Sequence, residues 1–409
     1  MRIVLTIHHE LDRNSGSPGT TMALADAYRR AGHETELLSF DDLPTRLGPQ
    51  AKMLAFPAVV AGRLCGSLGR WCDVVDSSSG DAWLWSLRRR TRDRRTILAT
   101  RSHGLEHLEH LERLVEHREG RVDLRRRYFL YHGRERLYEV AVSLRRADLT
   151  FFLNRADLEY SVANLGVERR RAHLVHNGID GSLLGLPPPV ASASHGVRLA
   201  LIARHTDGMG AGYYVPALER ILARHPSVSV TLLGSCAPEA QVLADFEAGI
   251  RDRVSVVPHF DRLELPRLLA GHEILVSAKF SEGFGKALVE GMACGLAPVA
   301  VAAAGPATIL DDGRTGLLVP PRDNEAWIAA VERLLGDPAL RLRLRRAAHA
   351  AAQRFSWDVT AADRIALLSG SGAAAQQTPG DAGRAAPHRR RDPASDRSVA
   401  PDVEHEQVA

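Results

Sequence analysis

Two carboxylates and an ammonium stand close together in one stretch of this 409-residue chain: Glu282, Lys286 and Glu290, within Phe280-Ser-Glu-Gly-Phe-Gly-Lys-Ala-Leu-Val-Glu-Gly-Met-Ala-Cys-Gly-Leu-Ala-Pro-Val299. Carboxylates accept hydrogen bonds from hydroxyls. The unpaired N–H groups and partial positive charge of a helix start hold phosphate or sugar oxygens. The stretch offers both if the chain turns at Gly283-Phe284-Gly285 and then enters a helix, and small glycines let a ligand approach the backbone.

The flanking residues supply those elements. The apolar run Glu273–Ser277 reads as one buried strand. Residues 286–292 are good helix formers, with Leu288/Met292 and Val289/Ala293 on one face. Gly295 and Pro298 end the helix, and 297–302 reads as the next strand. Glu290 lies about a turn into the helix and leans back toward its start, while Glu282 precedes it in the loop. Two carboxylates then face one pocket. Phosphate-holding amides beside hydroxyl-accepting carboxylates describe a nucleotide-sugar site; the plainer alternative is an ordinary turn with two solvated glutamates.

Glu282-x7-Glu290, set in SEGFGKALVEGMACGLAPV, resembles the E-x7-E motif of the retaining GT-B glycosyltransferases, specifically glycosyltransferase family 4. The resemblance implies an α/β fold of two Rossmann-like domains facing across a cleft. It implies that Glu290 holds the donor ribose, that Glu282 lies by the donor sugar, and that the amides of Gly283, Phe284 and Gly285 contact sugar and diphosphate. Gly16 and Gly19, in the loop after the first strand, match glycines near the donor phosphates. His103 matches a histidine beside the reacting carbon. Arg204 matches an arginine bound to the diphosphate, but the lysine expected five residues on is Met209. One lost charge-assisted hydrogen bond contributes about 1.5–3 kcal/mol, roughly ten- to a hundredfold in affinity. Lys286 is the residue expected to compensate, so His103, Arg204, Glu282 and Lys286 form the expected catalytic set. No Asp-x-Asp occurs, so no metal clamp is expected, and the only co-substrate implied is a nucleotide-diphosphate sugar. Retention implies that the departing phosphate collects the acceptor proton, which needs no separate base.

The rest of the chain fits two domains. Arg2–Ile7, a helix over 22–31 and Glu34–Phe40 make a βαβ opening, whose loop is not the G-x-G-x-x-G of dinucleotide enzymes. Residues 1–183 read as the acceptor domain, 184–196 as a Pro/Ser-rich linker, 197–355 as the nucleotide-sugar domain, and 356–368 as a helix crossing back. Residues 369–409 read as a disordered tail.

A net charge of +4 does not argue for nucleic acid. The four cysteines lack zinc or disulfide spacing, and the N-terminus lacks a signal peptide, so a cytoplasmic protein is expected. His103, His107 and His110 would share a helix face, but glutamates alternate with them as on a wet surface. The run Arg88–Arg95 reads as a solvated helix end or as a contact with the anionic inner face of a membrane. Tyr128-Phe-Leu-Tyr131, after Arg125–Arg127, reads as core first, with docking on a membrane or an acceptor as the alternative. The acceptor is a glycan, a lipid-linked or a small molecule. Rival readings are a non-catalytic sugar-nucleotide binder and a hydrolase using Glu282 and Glu290 as acid and base.

Overall fold

The computed structural model describes residues 1–89, 96–191 and 196–376. The first half forms β1 (Arg2–Thr6), β2 (Glu34–Leu38), β3 (Val74–Ser78), β4 (Ile97–Arg101), β5 (Leu149–Phe152) and β6 (Ala172–Leu174), ordered β2-β1-β3-β4-β5-β6. The second forms β7 (Arg198–Ile202), β8 (Ser229–Leu233), β9 (Val254–Val257), β10 (Ile274–Ser277), β11 (Ala297–Val301) and β12 (Leu317–Val319), ordered β12-β11-β10-β7-β8-β9. Every pairing is parallel. Parallel strands are covered on both faces by their crossover helices, which is why β1, β7, β10 and β11 are almost continuous Val, Ile, Leu and Ala.

The order of each sheet fixes where a ligand can enter. The chain leaves β1 toward β2 and returns to the other side at β3; in the second sheet the same reversal lies between β7 and β10. Loops diverge at such a switch point and leave a crevice at the strand ends. The loops after β1, β7 and β10 are those carrying Gly16, Arg204 and Glu282.

Four helices matter for the site: α1 (Ser17–Arg30), α2 (Glu106–Arg118), α3 (Lys286–Ala293) and α4 (Trp357–Gln376). Helix α1 begins five residues before the expected Met22, because Ser17-Pro18 opens it, proline lacking only an N–H that the first turn would leave unpaired. His103 precedes α2 in a loop, so the three histidines do not share a helical face. Helix α4 runs beyond the expected Leu368 to Gln376; the tail from residue 377 and the linker positions 192–195 lie outside the described residues, as do positions 90–95 of the basic run. Tyr128–Leu130 is not core: Phe129 is 40% and Leu130 67% exposed.

The halves share an apolar seam. Leu153 and Ile179 of the first half pack in one cluster with Phe284, Leu288, Val289 and Met292 of the second. Helix α4 returns to the first sheet, where Arg364 and Arg101 flank the fully buried Asp76 at 2.6 and 2.9 Å and hold its carboxyl below the usual range against the cost of burial.

Candidate functional site

A cleft of about 780 Å³ opens between the halves, lined from both. Its floor on the first half is the loop from His9 to Ser17 and the start of α1. Gly16 lines it and caps α1 with no side-chain bond, leaving first-turn N–H groups available. Gly19 does not line it: a Cβ there would collide with the Arg13 carbonyl, so this glycine lets the chain fold back on itself rather than admit a donor.

His103 lines the cleft with its Nε2 shielded from water and without a partner. Burial first, and nearby Arg101 second, push its imidazole well below the usual value. A neutral ring offers one N–H and one lone pair, suited to hydroxyl hydrogen bonding rather than to carrying charge.

The opposite wall is the motif loop and α3. Gly285 caps α3 at φ +94°, a left-handed backbone that favours glycine. Glu282, Phe284, Gly285 and Lys286 line the cleft. Phe284's ring, however, is buried between His176 and Phe355 in the seam, leaving its backbone as the group for a ligand. Gly283 differs from expectation more sharply. A Cβ there would come 2.6 Å from the Gly104 Cα, and its carbonyl accepts from Asn154 Nδ2 at 2.8 Å. Gly283 thus presses the motif loop onto the first half, and it does not line the cleft.

Glu290 is buried and does not open freely to the cleft. Arg262 forms a short ion pair with its Oε2, and Lys286 Nζ lies 3.9 Å from Oε1. Arg262 also donates its backbone N–H to Asn14 Oδ1 and its Nε–H to the Asn14 carbonyl, both at 3.2 Å. One guanidinium therefore ties the glycine loop to the second carboxylate. Glu282 pairs with Lys279 at 3.2 Å. Burial lowers the Lys286 ammonium, Glu290 opposes that shift, and Arg262 adds to it.

Arg204 and Met209 both line the cleft. Arg204 is exposed, and among the described residues it has no carboxylate partner, unlike Lys52, Arg262, Lys279 and Lys286. It is a cation in the cleft left free to meet an incoming anion. Gly210 packs on the Ala278 carbonyl, so Lys279 stands beside position 209. Neither Lys279, in a loop, nor Arg262, at the start of the short 3-10 turn Arg262–Glu264, belongs to any motif the sequence displays.

Two Rossmann-like domains meeting at their switch points, with this cleft between them, are the GT-B architecture. Residues 197–337 match the family model of glycosyl transferases group 1. Curated relatives include the D-inositol 3-phosphate glycosyltransferases of Xylanimonas cellulosilytica, 31% identical over 225 residues (51% of this chain, 53% of that protein), and Mycobacteroides abscessus, 32% identical over 233 residues (54% and 50%). The chain spans about half the length of the curated relatives it matches. Similar solved structures are sucrose-phosphate synthase from Thermosynechococcus elongatus, with a TM-score of 0.72 at 19% identity over 91% of this chain and 99% of that one. Anabaena HepE in complex with UDP and glucose gives 0.65 at 18% over 90% and 100%. At such identities the likeness concerns the fold.

Proposed function

We propose that this chain is a retaining glycosyltransferase that moves a sugar from a nucleotide-diphosphate sugar to an acceptor hydroxyl without a metal. The observation that carries the reading is the convergence on one cleft of Arg204, which has no carboxylate partner among the described residues, an open helix start and Glu282, with Glu290 buried behind them under Arg262. Breaking the bond from anomeric carbon to diphosphate leaves charge on the phosphate. The first N–H groups of α3 would be fixed donors for that charge, joined by the Arg204 guanidinium, and preorganised donors supply much of an enzyme's rate. The released phosphate oxygen takes the acceptor proton. Glu290 would receive the ribose hydroxyls once Arg262 moves aside, Glu282 would receive those of the sugar, and neutral His103 would hydrogen-bond near the reacting carbon. Lys279, beside Met209, joins Lys286 as a source of the missing charge.

The acceptor is a glycan, a lipid-linked or a small molecule; the relatives' names carry a phosphorylated cyclitol, in favour of the last. Phe129 and Leu130, exposed beside exposed Arg125, Arg126 and Arg127, would suit peripheral contact with an anionic membrane at its cytoplasmic face. No helix among the described residues is long and apolar enough to cross one. The test is a thermal-shift panel of sugar nucleotides, uridine compounds first because HepE holds UDP, followed by transfer assays with the stabilising donor. One nucleotide class should raise the melting temperature. A flat panel would overturn the reading.

A further inference from the structure

Arg204 lines the cleft as an exposed side chain without a carboxylate partner among the described residues, so its place is set by its backbone. That backbone is tied down on either side. The Ala203 N–H donates to the Leu233 carbonyl at 3.1 Å, and the His205 N–H to the Ser235 carbonyl at 2.8 Å. Both bonds extend the pairing of β7 with β8 beyond the end of β7. His205 is buried while Arg204 is exposed, so the two neighbours face opposite ways, one into the fold and one into the cleft.

Both nitrogens of the His205 ring are engaged. Nδ1 lies 2.6 Å from the Tyr214 hydroxyl, and Nε2 lies 2.7 Å from Asp245 Oδ2. Tyr214 is buried on the helix Ala211–Arg224, which begins just past Met209 and Gly210. Asp245 ends the helix Glu239–Ala244 and is largely exposed. A carboxylate only accepts, so with the hydrogen on Nε2 the ring donates to Asp245 while its Nδ1 lone pair receives the hydroxyl. Burial, with Asp245 and Asp207 adding to it, pushes that hydroxyl up, so Tyr214 keeps the proton it donates. The chain Tyr214–His205–Asp245 therefore runs from the core to the surface with each of its polar hydrogens paired. It fastens the exit of β7 to the helix that follows and closes the turn 203–210, in which Arg204 is the one fixed cation.

We infer that His205 is a positioning residue: held between Tyr214 and Asp245, it fixes the turn that presents Arg204 to the donor diphosphate. The inference rests on the transferase reading for what Arg204 meets. The test titrates the full chain calorimetrically with UDP and with GDP, and follows amide hydrogen exchange over residues 205–211 without nucleotide. One charge-assisted bond contributes about ten- to a hundredfold in affinity, so Arg204→Ala should weaken the tighter nucleotide by about that factor and His205→Phe by at least about fivefold. The double variant should bind no more weakly than Arg204→Ala alone, because His205 acts only through the arginine. His205→Gln should restore affinity to within about twofold, since a carboxamide can accept from Tyr214 and donate to Asp245. Without nucleotide, His205→Phe should speed exchange at 205–211 by about tenfold or more, and His205→Gln should not. Tyr214→Phe deletes only the hydroxyl and should show the same pattern at smaller size, which keeps the test open if His205→Phe does not fold. An affinity that His205→Phe leaves unchanged overturns the proposal. So does a loss that persists at full size in the Arg204→Ala background, the mark of a general structural role, or an Arg204→Ala that binds as well as the unaltered chain. If neither nucleotide binds the unaltered chain, the donor reading fails instead, and the exchange comparison of His205→Phe with His205→Gln still decides whether the ring holds the turn.

Discussion

Glu290 shows how much a single position says before and after folding. Its place in the helix follows from the sequence, as does the gathering of Glu282, Lys286, Arg204 and His103 around the cleft that Glu290 itself does not line. Its occupant does not, because Arg262 reaches it from the 3-10 turn Arg262–Glu264, 28 residues away in sequence, and is fastened to Asn14, 248 residues from Arg262. Glycines were harder still. Gly19 and Gly283 are needed for chain-on-chain approach, and a glycine carries no local sign of whether its neighbour is a ligand or another backbone. Two predictions belong here. Glu290→Gln and Arg204→Ala should each lower kcat/KM by about a hundredfold or more, some 2.7 kcal/mol, measured by steady-state transfer with circular dichroism unchanged. Arg262→Met should separate two readouts: it leaves a buried carboxylate short of a partner, costing about 3 kcal/mol of stability, yet it frees Glu290, so donor KM should fall several-fold.

At the level of elements, strands read well because buried parallel strands are short apolar runs between turn residues. Helix starts and faces read less well. Helix α1 starts early on Ser17-Pro18 where the apolar pattern begins only at Met22, and α2 leaves Leu111 46% exposed although its leucines look like a stripe. The aromatic turn Arg126–Leu130 has five residues and ends in a wide π turn, Tyr131–Glu135, so it is too short to bury its face. The helix that follows, Arg136–Arg146, carries a testable charge. Burial raises the Glu139 carboxyl from 4.5 to about 7, with Arg136 opposing. The folded chain therefore holds this proton between those values while the unfolded chain does not. Stability should fall as pH rises across that window, by at most about 1.4 kcal/mol per unit. Denaturant unfolding at several pH values should show the slope, and Glu139→Gln should remove it.

Across the whole molecule, the restart of strand pattern near residue 197 makes the two domains legible, but what holds them together is not. The contacts join residues far apart in sequence and leave no periodicity. They include the Leu153–Phe284 seam, Gly283 against Gly104, and Arg322, whose guanidinium bridges Glu112 at 2.6 Å and Glu116 at 2.9 Å across the domains. Arg322 sits at φ +62°, a strained backbone for a non-glycine residue. Gly283→Ala would push a methyl into the backbone of the facing domain. Small-angle scattering should then report a wider molecule, and transfer should fall at least tenfold, while each domain's secondary structure persists.

The proposed function requires a diphosphate where α3 begins, with its ribose in place of Arg262 on Glu290. A crystal structure of the chain with its stabilising sugar nucleotide tests this most directly. It should show phosphate oxygens within hydrogen-bond reach of Arg204 and the Lys286 amide, ribose hydroxyls on Glu290, and Arg262 displaced. A nucleotide bound elsewhere, with Arg262 still on Glu290, would contradict it.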